Sequence, residues 1–167
     1  MTVVANTTVI SNISAVGRID LLRELHGTLR ISVQVYEEIQ KGIEEGYGFY
    51  AETERNIHPF SDTGWIRLTG MADDEEFAAF RELSRRLGKG EASCLSIAAR
   101  RKWLFLTDDL AARKQAAAMG VPVSGTLGCL LMAVEKGLCA LEQANRRLRE
   151  MTNRGYRSPV RDLTELR

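Results

Sequence analysis

The sequence contains few cysteine and histidine residues and no long hydrophobic segment. Three cysteines, Cys94, Cys129 and Cys139, lie far apart in apolar, helix-like stretches, an arrangement typical of reduced thiols in a cytosolic protein rather than disulfides or zinc ligands. Only two histidines, His26 and His58, are present, which argues against a His-based metal site. No apolar run approaches the roughly 20 residues that span a membrane, and no basic region precedes an apolar stretch at the N-terminus. We therefore expect a cytoplasmic protein without a secretory leader.

The composition is that of an ordinary globular protein, with 44% hydrophobic and 27% charged residues in a chain of 167. This length suits one domain with a full core. The net charge is only +1, but residues 81–119 hold nine Lys or Arg against four acids, and residues 37–57 hold six Glu against two basic residues. A basic half facing an acidic patch would suit a metal-dependent enzyme acting on a polyanion. Charge counts by themselves favour solvated helix faces.

Hydrophobic patterning alternates between short strands and amphipathic helices. Short apolar segments predict strands at residues 3–5, 29–31, 65–68, 103–106 and 121–123. One helix, ending at Gly27, is expected between the first two strands, and Ser32 has the character of an N-cap for the helix that follows the second. Asp73 and Asp74 are well placed at the start of a long helix that Gly88 and Gly90 then end. Strands separated by helices favour a parallel α/β sheet.

Short polar segments follow two of the predicted strands directly. Asn6 and Thr7 follow the first strand, whereas Thr107, Asp108 and Asp109 follow the segment WLFL. Ligands of open parallel sheets bind outside the carboxyl ends of the strands, so these side chains would meet if the two strands are adjacent. Their oxygen atoms suit Mg²⁺ or Mn²⁺. Taken singly, Asn6 and Thr7 could form an ordinary turn, and Asp109 could be a helix N-cap.

Two glutamates are further candidates for the same site. Glu38 borders the apolar face that Val35 and Ile39 define in the predicted second helix. Glu91 opens an alanine-rich helix predicted at residues 91–101, where small neighbours permit a close approach. An acid in the first turn also stabilises the helix dipole by about 0.3–1 kcal/mol, which is the alternative explanation for Glu91.

Three segments resemble the PIN-domain family, the nuclease fold that includes VapC toxins. They are VVANTTVISNISAVGRIDLL, ISVQVYEEIQKG and GKGEASCLSIAARRKWLFLTDDLAARKQAAAMGVPVSGTLGCLLMAVEKG. The likeness extends to about Gly137 and is closest to small prokaryotic members with GEA and GTLG motifs. It implies a three-layer α/β/α fold with a mostly parallel central sheet. Residues 1–140 would form the PIN-like domain, and residues 141–167 a C-terminal helical extension of that domain.

The resemblance also implies a site, carried over motif by motif. Asn6 stands where the family has Asp, Glu38 matches an acid that follows Val35, and Glu91 stands at a position that is usually Asp. Thr107 and Asp109 match the T-x-D motif. The implied metal ligands are Asn6, Glu38, Glu91, Asp108 and Asp109, of which the four acids are the implied catalytic residues. The implied substrate contacts are Thr7, Thr107 and Arg113.

The activity that the resemblance implies is hydrolysis of RNA phosphodiester bonds with Mg²⁺ or Mn²⁺ held by carboxylates. A VapC-type protein would pair with a small antitoxin and form a homodimer. The neutral side chain of Asn6 keeps a second hypothesis open, a PIN-like module that binds RNA or protein without cleavage. A phosphoryl-accepting receiver domain is excluded, since its acidic pair should come early in the chain, where the first strand ends in Asn6.

Overall fold

A computed structural model describes residues 1–166, which form six strands and nine α-helices. The strands are β1 Val3–Ala5, β2 Leu29–Ser32, β3 Ile57–His58, β4 Ile66–Thr69, β5 Leu104–Leu106 and β6 Val123–Ser124. The helices are α1 Thr7–Ala15, α2 Asp20–His26, α3 Val33–Glu44, α4 Tyr50–Glu54, α5 Asp74–Leu83, α6 Lys89–Arg101, α7 Leu110–Ala118, α8 Thr126–Glu135 and α9 Leu141–Asn153. A 3-10 helix follows at Leu163–Leu166.

The six strands form one sheet in the order β3-β4-β2-β1-β5-β6, and every pairing is parallel. The chain leaves β1 toward β2 on one side and later returns to β5 on the other side, so the strand order reverses between β1 and β5. The carboxyl ends of these two strands therefore form the crevice in which open α/β sheets bind ligands. The predicted adjacency of the two polar segments is confirmed.

Helices cover the sheet in the predicted three-layer α/β/α arrangement. Helix α6 contacts β1, β2 and β5 and packs against α5, whereas α1, α8 and α9 contact one another. Fully buried side chains from the central strands, such as Val4, Ile31 and Phe105, lie in one continuous core. Burial on both faces explains why these strands have continuous apolar sequences rather than alternating ones. Within residues 1–166, no helix has the length and apolarity needed to cross a membrane.

Two helix starts predicted from short polar residues are confirmed. The Ser32 hydroxyl accepts a hydrogen bond from the Val35 amide at 3.1 Å. The Asp73 carboxylate accepts one from the Glu76 amide at 2.8 Å. Both interactions satisfy an amide that the first helical turn leaves without a backbone partner. These caps fix where α3 and α5 begin.

The prediction of one helix between β1 and β2 is wrong, because the chain forms α1 and α2 there. The α1 sequence, TTVISNISA, is rich in β-branched and small polar residues, which have modest helix propensity. Val9, Ile10 and Ile13 are nevertheless fully buried along one side of α1. Tertiary burial of this face outweighs the weak local propensity.

The start of α6 also differs from the prediction. The predicted helix begins at Glu91, after Gly90. In the structure Gly88 is the N-cap, α6 begins at Lys89, and Gly90 lies within its first turn. The short edge strand β3 has no counterpart in the sequence prediction. Its two residues are too few to produce a recognisable alternation.

The C-terminal segment packs onto the same core as the sheet. Leu148 and Met151 of α9 are buried, and so is Leu163 of the 3-10 helix. Asn145 joins the two elements, because its carbonyl oxygen accepts from the Leu163 amide at 2.8 Å and its amide group donates to Asp162 at 3.1 Å. Arg167, the last residue of the predicted extension, lies outside the described residues.

A buried ion pair joins α5 to the end of α6. The Glu76 side chain is only 1% exposed, and its carboxylate accepts hydrogen bonds from Arg101 Nε at 2.7 Å and Arg101 Nη2 at 2.9 Å. The Ala72 amide donates to the same carboxylate at 2.6 Å. These hydrogen bonds, those from Arg101 foremost, hold the pKa of Glu76 below its ordinary value. Their stabilisation is therefore present above that ordinary value and is lost as the pH falls through the lowered pKa.

We predict that Glu76→Gln destabilises the protein by roughly 1.5–3 kcal/mol, the contribution of hydrogen bonds to charged groups, because it removes the carboxylate that pairs with Arg101. The matched control is Glu75→Gln, since Glu75 forms an exposed pair with Arg100. Exposed pairs contribute about 0–1 kcal/mol. Urea unfolding at pH 7 measures both variants, and equal losses would contradict the role assigned to the buried pair.

Candidate active site

Asn6 and Thr107 connect the carboxyl ends of β1 and β5. Both residues are fully buried. The Asn6 backbone amide donates to the Leu106 carbonyl at 2.8 Å, which extends the strand pairing by one residue. The Asn6 side-chain amide donates to the Thr107 hydroxyl at 3.1 Å. The two strand ends are therefore held in a fixed position relative to each other.

The other contacts of Asn6 link α1 to α6. Its carbonyl oxygen accepts from the Thr7 amide at 2.8 Å, at the start of α1. Its side-chain nitrogen donates to Glu91 Oε1 at 3.3 Å. Glu91 lies in the first turn of α6, where a carboxylate interacts favourably with the helix dipole. Asn6 thus supplies Glu91 with a neutral hydrogen-bond donor at the end of the central strand.

The carboxylates of Glu38 and Glu91 lie together at the glycine-flanked start of α6, and we call them the carboxylate pair. A Cβ atom added to Gly90 would collide with Glu38 Oε1. A Cβ added to Gly88 would lie 2.6 Å from Glu91 Oε2. Glycine at both positions therefore leaves the space that the two carboxylates occupy. Residues on α3 and α6, far apart in the sequence, meet here because the two helices pack against each other.

The surroundings of Glu38 disfavour its charged form. Much of the side chain is solvent-exposed, but partial burial of the carboxyl group, together with the negative charge of Glu91, raises its pKa to about 7. The nearby Thr7 hydroxyl offsets part of this rise. The Thr7 oxygen is itself buried and has no partner in full hydrogen-bonding geometry within residues 1–166. The pair is therefore a concentration of negative charge and oxygen atoms without a compensating cation from the described chain.

Asp108 serves a different part of the structure. Its carboxylate accepts from the Thr126 amide at 2.8 Å, from the Thr126 hydroxyl, and from the Asn12 side chain at 2.9 Å. Its backbone amide donates to the Thr8 hydroxyl at 3.0 Å. Asp108 therefore satisfies the N-terminus of α8 and ties it to α1. Both of its carboxylate oxygens are engaged in these contacts.

Asp109 and Arg113 shape the turn that follows β5. Asp109 is the N-cap of α7, and its carboxylate accepts from the Ala112 amide at 2.8 Å. The Asp109 amide donates to the Thr107 hydroxyl at 3.1 Å. Arg113 Nη1 donates to the Thr107 carbonyl at 2.9 Å. The helix N-cap, which was the alternative explanation for Asp109, is thus observed. Arg113 is exposed and stabilises the same turn.

The structure thus brings four of the predicted site residues together: Asn6, Thr7, Glu38 and Glu91. Thr107 is buried beneath these residues and contacts them through its hydrogen bond with Asn6. Asp108 and Asp109 follow the same strand end, but both Asp108 oxygens accept from α1 and α8, and one Asp109 oxygen caps α7. Within residues 1–166, no three or more His, Cys, Asp and Glu side chains cluster so as to hold a metal ion. The groups that meet here are the carboxylates of Glu38 and Glu91 and the neutral side chains of Asn6 and Thr7.

Three residues that shape the site were missed from the sequence. Gly90 makes room for Glu38, and its position directly before Glu91 in the GKGE segment was an available signal. Asn12 and Thr126 hold Asp108 together with Thr8, which the sequence places directly after the first strand. Asn12 lies on α1, the helix that the patterning failed to predict, so its contact with Asp108 was not predictable.

The comparison with protein-family models supports the resemblance seen in the sequence. A model described as a PIN domain matches residues 2–166, nearly the whole chain. The chain therefore belongs to the PIN-domain family. No curated protein and no solved structure shows significant similarity to it.

PIN domains imply a divalent cation, and the carboxylate pair fits one. Two adjacent carboxylates repel each other unless a cation lies between them. The buried, unpartnered Thr7 oxygen provides a further hard oxygen atom of the kind that Mg²⁺ and Mn²⁺ prefer. Asn6 contributes less, because its nitrogen faces Glu91 and its oxygen is used by α1. Glu38 and Glu91 would therefore hold the ion.

We predict that Glu38→Gln raises the unfolding temperature more at pH 8 than at pH 5 when cations are chelated. The folded-state pKa of Glu38, about 7, lies above its ordinary 4.5, so the stabilising contribution of this group is full below 4.5 and is lost as the pH rises through 7. The expected extra gain at pH 8 is roughly 2–4 °C, corresponding to about 1 kcal/mol after screening by solvent.

Thermal unfolding followed by circular dichroism in EDTA measures this difference. The neighbouring, exposed Glu37 offers a matched control, Glu37→Gln, which measures the effect of removing one glutamate charge from the same turn of α3. An identical gain for Glu38→Gln at pH 5 and pH 8 would show that the carboxyl is not perturbed.

Gly90→Ala should displace the carboxylate pair without unfolding the protein. The three atoms nearest to the new methyl group all belong to the flexible Glu38 side chain, and alanine is favoured over glycine in a helix by up to about 1 kcal/mol. We expect unchanged or higher stability and a large loss of Mn²⁺ binding, measured as the Mn²⁺-dependent rise in unfolding temperature. Gly48→Ala, placed in open space, should keep the full Mn²⁺ response. If Gly90→Ala kept it too, the pair would not be the binding site.

Proposed function

We propose that the protein is a metal-dependent endoribonuclease whose cation is held by Glu38 and Glu91. The observation that supports this most strongly is the placement of two unneutralised carboxylates at the topological switch point of a PIN-domain sheet. PIN domains are generally nucleases, so membership of the family favours phosphodiester hydrolysis over other uses of a carboxylate pair.

Each residue of the site has a separate task in this proposal. The bound cation would supply charge neutralisation at the phosphate and activate a water molecule. Asn6 orients Glu91 through its amide, and Thr107 holds Asn6 in turn. Glycine at position 90 lets Glu38 approach α6 closely. Thr7 adds a hydroxyl oxygen beside Glu38. The chain thereby fixes the two carboxylates before substrate binds.

The surface next to the pair supports RNA as the substrate. Tyr47 borders both the cavity beside Glu38 and a neighbouring cavity of about 450 Å³ lined by Phe49, Arg154 and Tyr156. Tyr156 in turn borders a cavity that reaches Arg113. Aromatic rings that stack with bases, alternating with arginines that contact phosphates, are typical of grooves for single-stranded nucleic acid.

We further propose that the protein is the toxin of a toxin–antitoxin pair. The support is the order of the sequence motifs, which resembles VapC toxins through the GEA and GTLG segments. A small antitoxin and a second copy of the chain are the partners that this reading predicts, and the cytoplasm is the compartment. A small open reading frame next to the gene, and the loss of RNA cleavage on adding its product, would be the test.

Asn6 favours a second candidate function, a PIN-like module that binds RNA or protein without cleavage. Its amide provides Glu91 with a hydrogen-bond donor at the position where the family's Asp would add a negative charge. One fewer charge weakens the attraction for a divalent cation. Within residues 1–166, neither Asp108 nor Asp109 forms a cluster of three or more possible metal ligands with Glu38 and Glu91, so neither restores that charge at the pair.

We predict that Glu38→Gln and Glu91→Gln each lower Mn²⁺-dependent RNA cleavage by on the order of 100-fold or more, since each removes a charge that holds the cation. Asp108→Asn provides the contrast. It should lower the unfolding temperature by weakening the start of α8, yet retain cleavage within about 10-fold of wild type. Cleavage that survives undiminished in both glutamate variants would contradict the proposed site.

Asn6→Asp separates the nuclease from the non-cleaving module. If the native site is active, wild type cleaves RNA at millimolar Mn²⁺, and the variant binds Mn²⁺ more tightly because of its added charge. If the native protein is a non-cleaving module, wild type cleaves no RNA under any cation condition, whereas the variant gains cleavage. Cleavage rate and Mn²⁺-dependent unfolding temperature, measured on the same samples, distinguish the two.

A further inference from the structure

Two arginines occupy directly paired positions on neighbouring strands at the other end of the sheet. Arg30 of β2 and Arg67 of β4 are register partners in a parallel ladder. Paired residues in a sheet project from the same face, with Cβ atoms about 5 Å apart. Like charges in this relation destabilise the sheet. The arrangement costs the fold stability unless an anion compensates it.

Trp103 contacts both Arg30 and a third arginine, Arg101. The Arg30 guanidinium carbon is 5.8 Å from the centre of the Trp103 ring, and the Arg101 guanidinium carbon is 5.0 Å from it. Both distances are within the range of cation–π contact. Arg101 is the last residue of α6, whereas Glu91 lies in its first turn, so the cluster is remote from the carboxylate pair. We call Arg30, Arg67, Arg101 and Trp103 the arginine patch.

The described carboxylates neutralise only one arginine of the patch. Arg101 pairs with Glu76. Across residues 1–166, neither Arg30 nor Arg67 has a carboxylate within ion-pair distance. The Nε atom of Arg30 is buried and has no hydrogen-bond partner in this part of the chain. Burial, with the charges of Arg67 and Arg101, lowers the pKa of Arg30. Two positive charges and a buried donor therefore remain uncompensated.

We propose that the arginine patch binds the phosphate backbone of single-stranded RNA, as a second contact remote from the carboxylate pair. Guanidinium groups donate in a planar fork that matches phosphate oxygens. The partly exposed Trp103 and the adjacent exposed Lys102 add an aromatic ring and another positive charge. An open cavity of about 470 Å³, lined in part by Arg30 and Thr28, adjoins the patch. Arginines around an aromatic ring favour nucleic acid over an acidic protein segment.

The test is RNA binding in EDTA, which makes it independent of cleavage and of the proposed catalytic function. A fluorescently labelled RNA of about 12 nucleotides suits the size of single-strand sites. Arg67→Gln removes an exposed charge, so the protein should remain folded with equal or higher stability. It should weaken binding roughly 5- to 10-fold at low salt and reduce the slope of log K against log salt by about 1.

The matched control is Arg55→Gln, because Arg55 is exposed and pairs with Glu52 on α4. The RNA affinity of Arg55→Gln should stay within about 2-fold of wild type, since the loss of one surface charge outside the arginine patch has little effect. If both variants weakened RNA binding equally, the proposal would be overturned, because the loss would then depend on the net charge of the protein and not on the arginine patch. Retained affinity in Arg67→Gln would overturn it too.

The fluorescence of Trp103 localises the contact. Trp65 is 8% exposed and belongs to the core, so an RNA-induced change in emission should disappear in Trp103→Phe and persist in Trp65→Phe. A change that persists in Trp103→Phe would place the RNA elsewhere. Poly-glutamate is the competing ligand. If it altered Trp103 emission at lower concentration than RNA of equal charge, an acidic protein partner would replace RNA.

Discussion

The hydroxyl group of Thr107 is the connection on which the site depends. It accepts hydrogen bonds from the Asn6 side chain and from the Asp109 amide, both at 3.1 Å, while the Thr107 amide donates to the Ser124 carbonyl at 2.9 Å. One buried residue therefore aligns the ends of β1, β5 and β6 and the start of α7. Since Asn6 is the N-cap of α1, the position of Thr107 also fixes the start of the first helix of the fold.

From this connection the electrostatics of the site follow. Asn6 is held by Thr107 and in turn donates to Glu91, so the carboxylate of Glu91 is oriented by a neutral group. Glu38 approaches the same point from α3 over Gly90, and burial of its carboxyl group, together with the negative charge of Glu91, raises the pKa of Glu38. The folded chain holds the glutamates together at a cost in stability, which a bound cation would offset. An aspartate in place of Asn6 would increase both that cost and the attraction for a cation.

The sequence predicted which strand ends form the site better than it predicted which acidic side chains meet there. Continuous apolar strands and the polar residues after them placed Asn6 beside Thr107, because parallel strands end at one edge of a sheet. Asp108 and Glu91 were both candidates in the sequence, since Asp108 follows a buried strand and Glu91 opens a helix. Only the packing of α1 and α8 shows that Asp108 is used by Asn12 and Thr126. The paired arginines were also out of reach, because strand register depends on long-range contacts.

The central claim is that Glu38 and Glu91 together hold a divalent cation. Its most direct test is a crystal structure of the wild-type protein grown with millimolar Mn²⁺ and measured at a wavelength where manganese scatters anomalously. The account predicts an anomalous peak in contact with oxygen atoms of Glu38 and Glu91, with the Asp108 carboxylate still bonded to Thr126. A peak at Asp108 or Asp109, or none at the carboxylate pair, would contradict it.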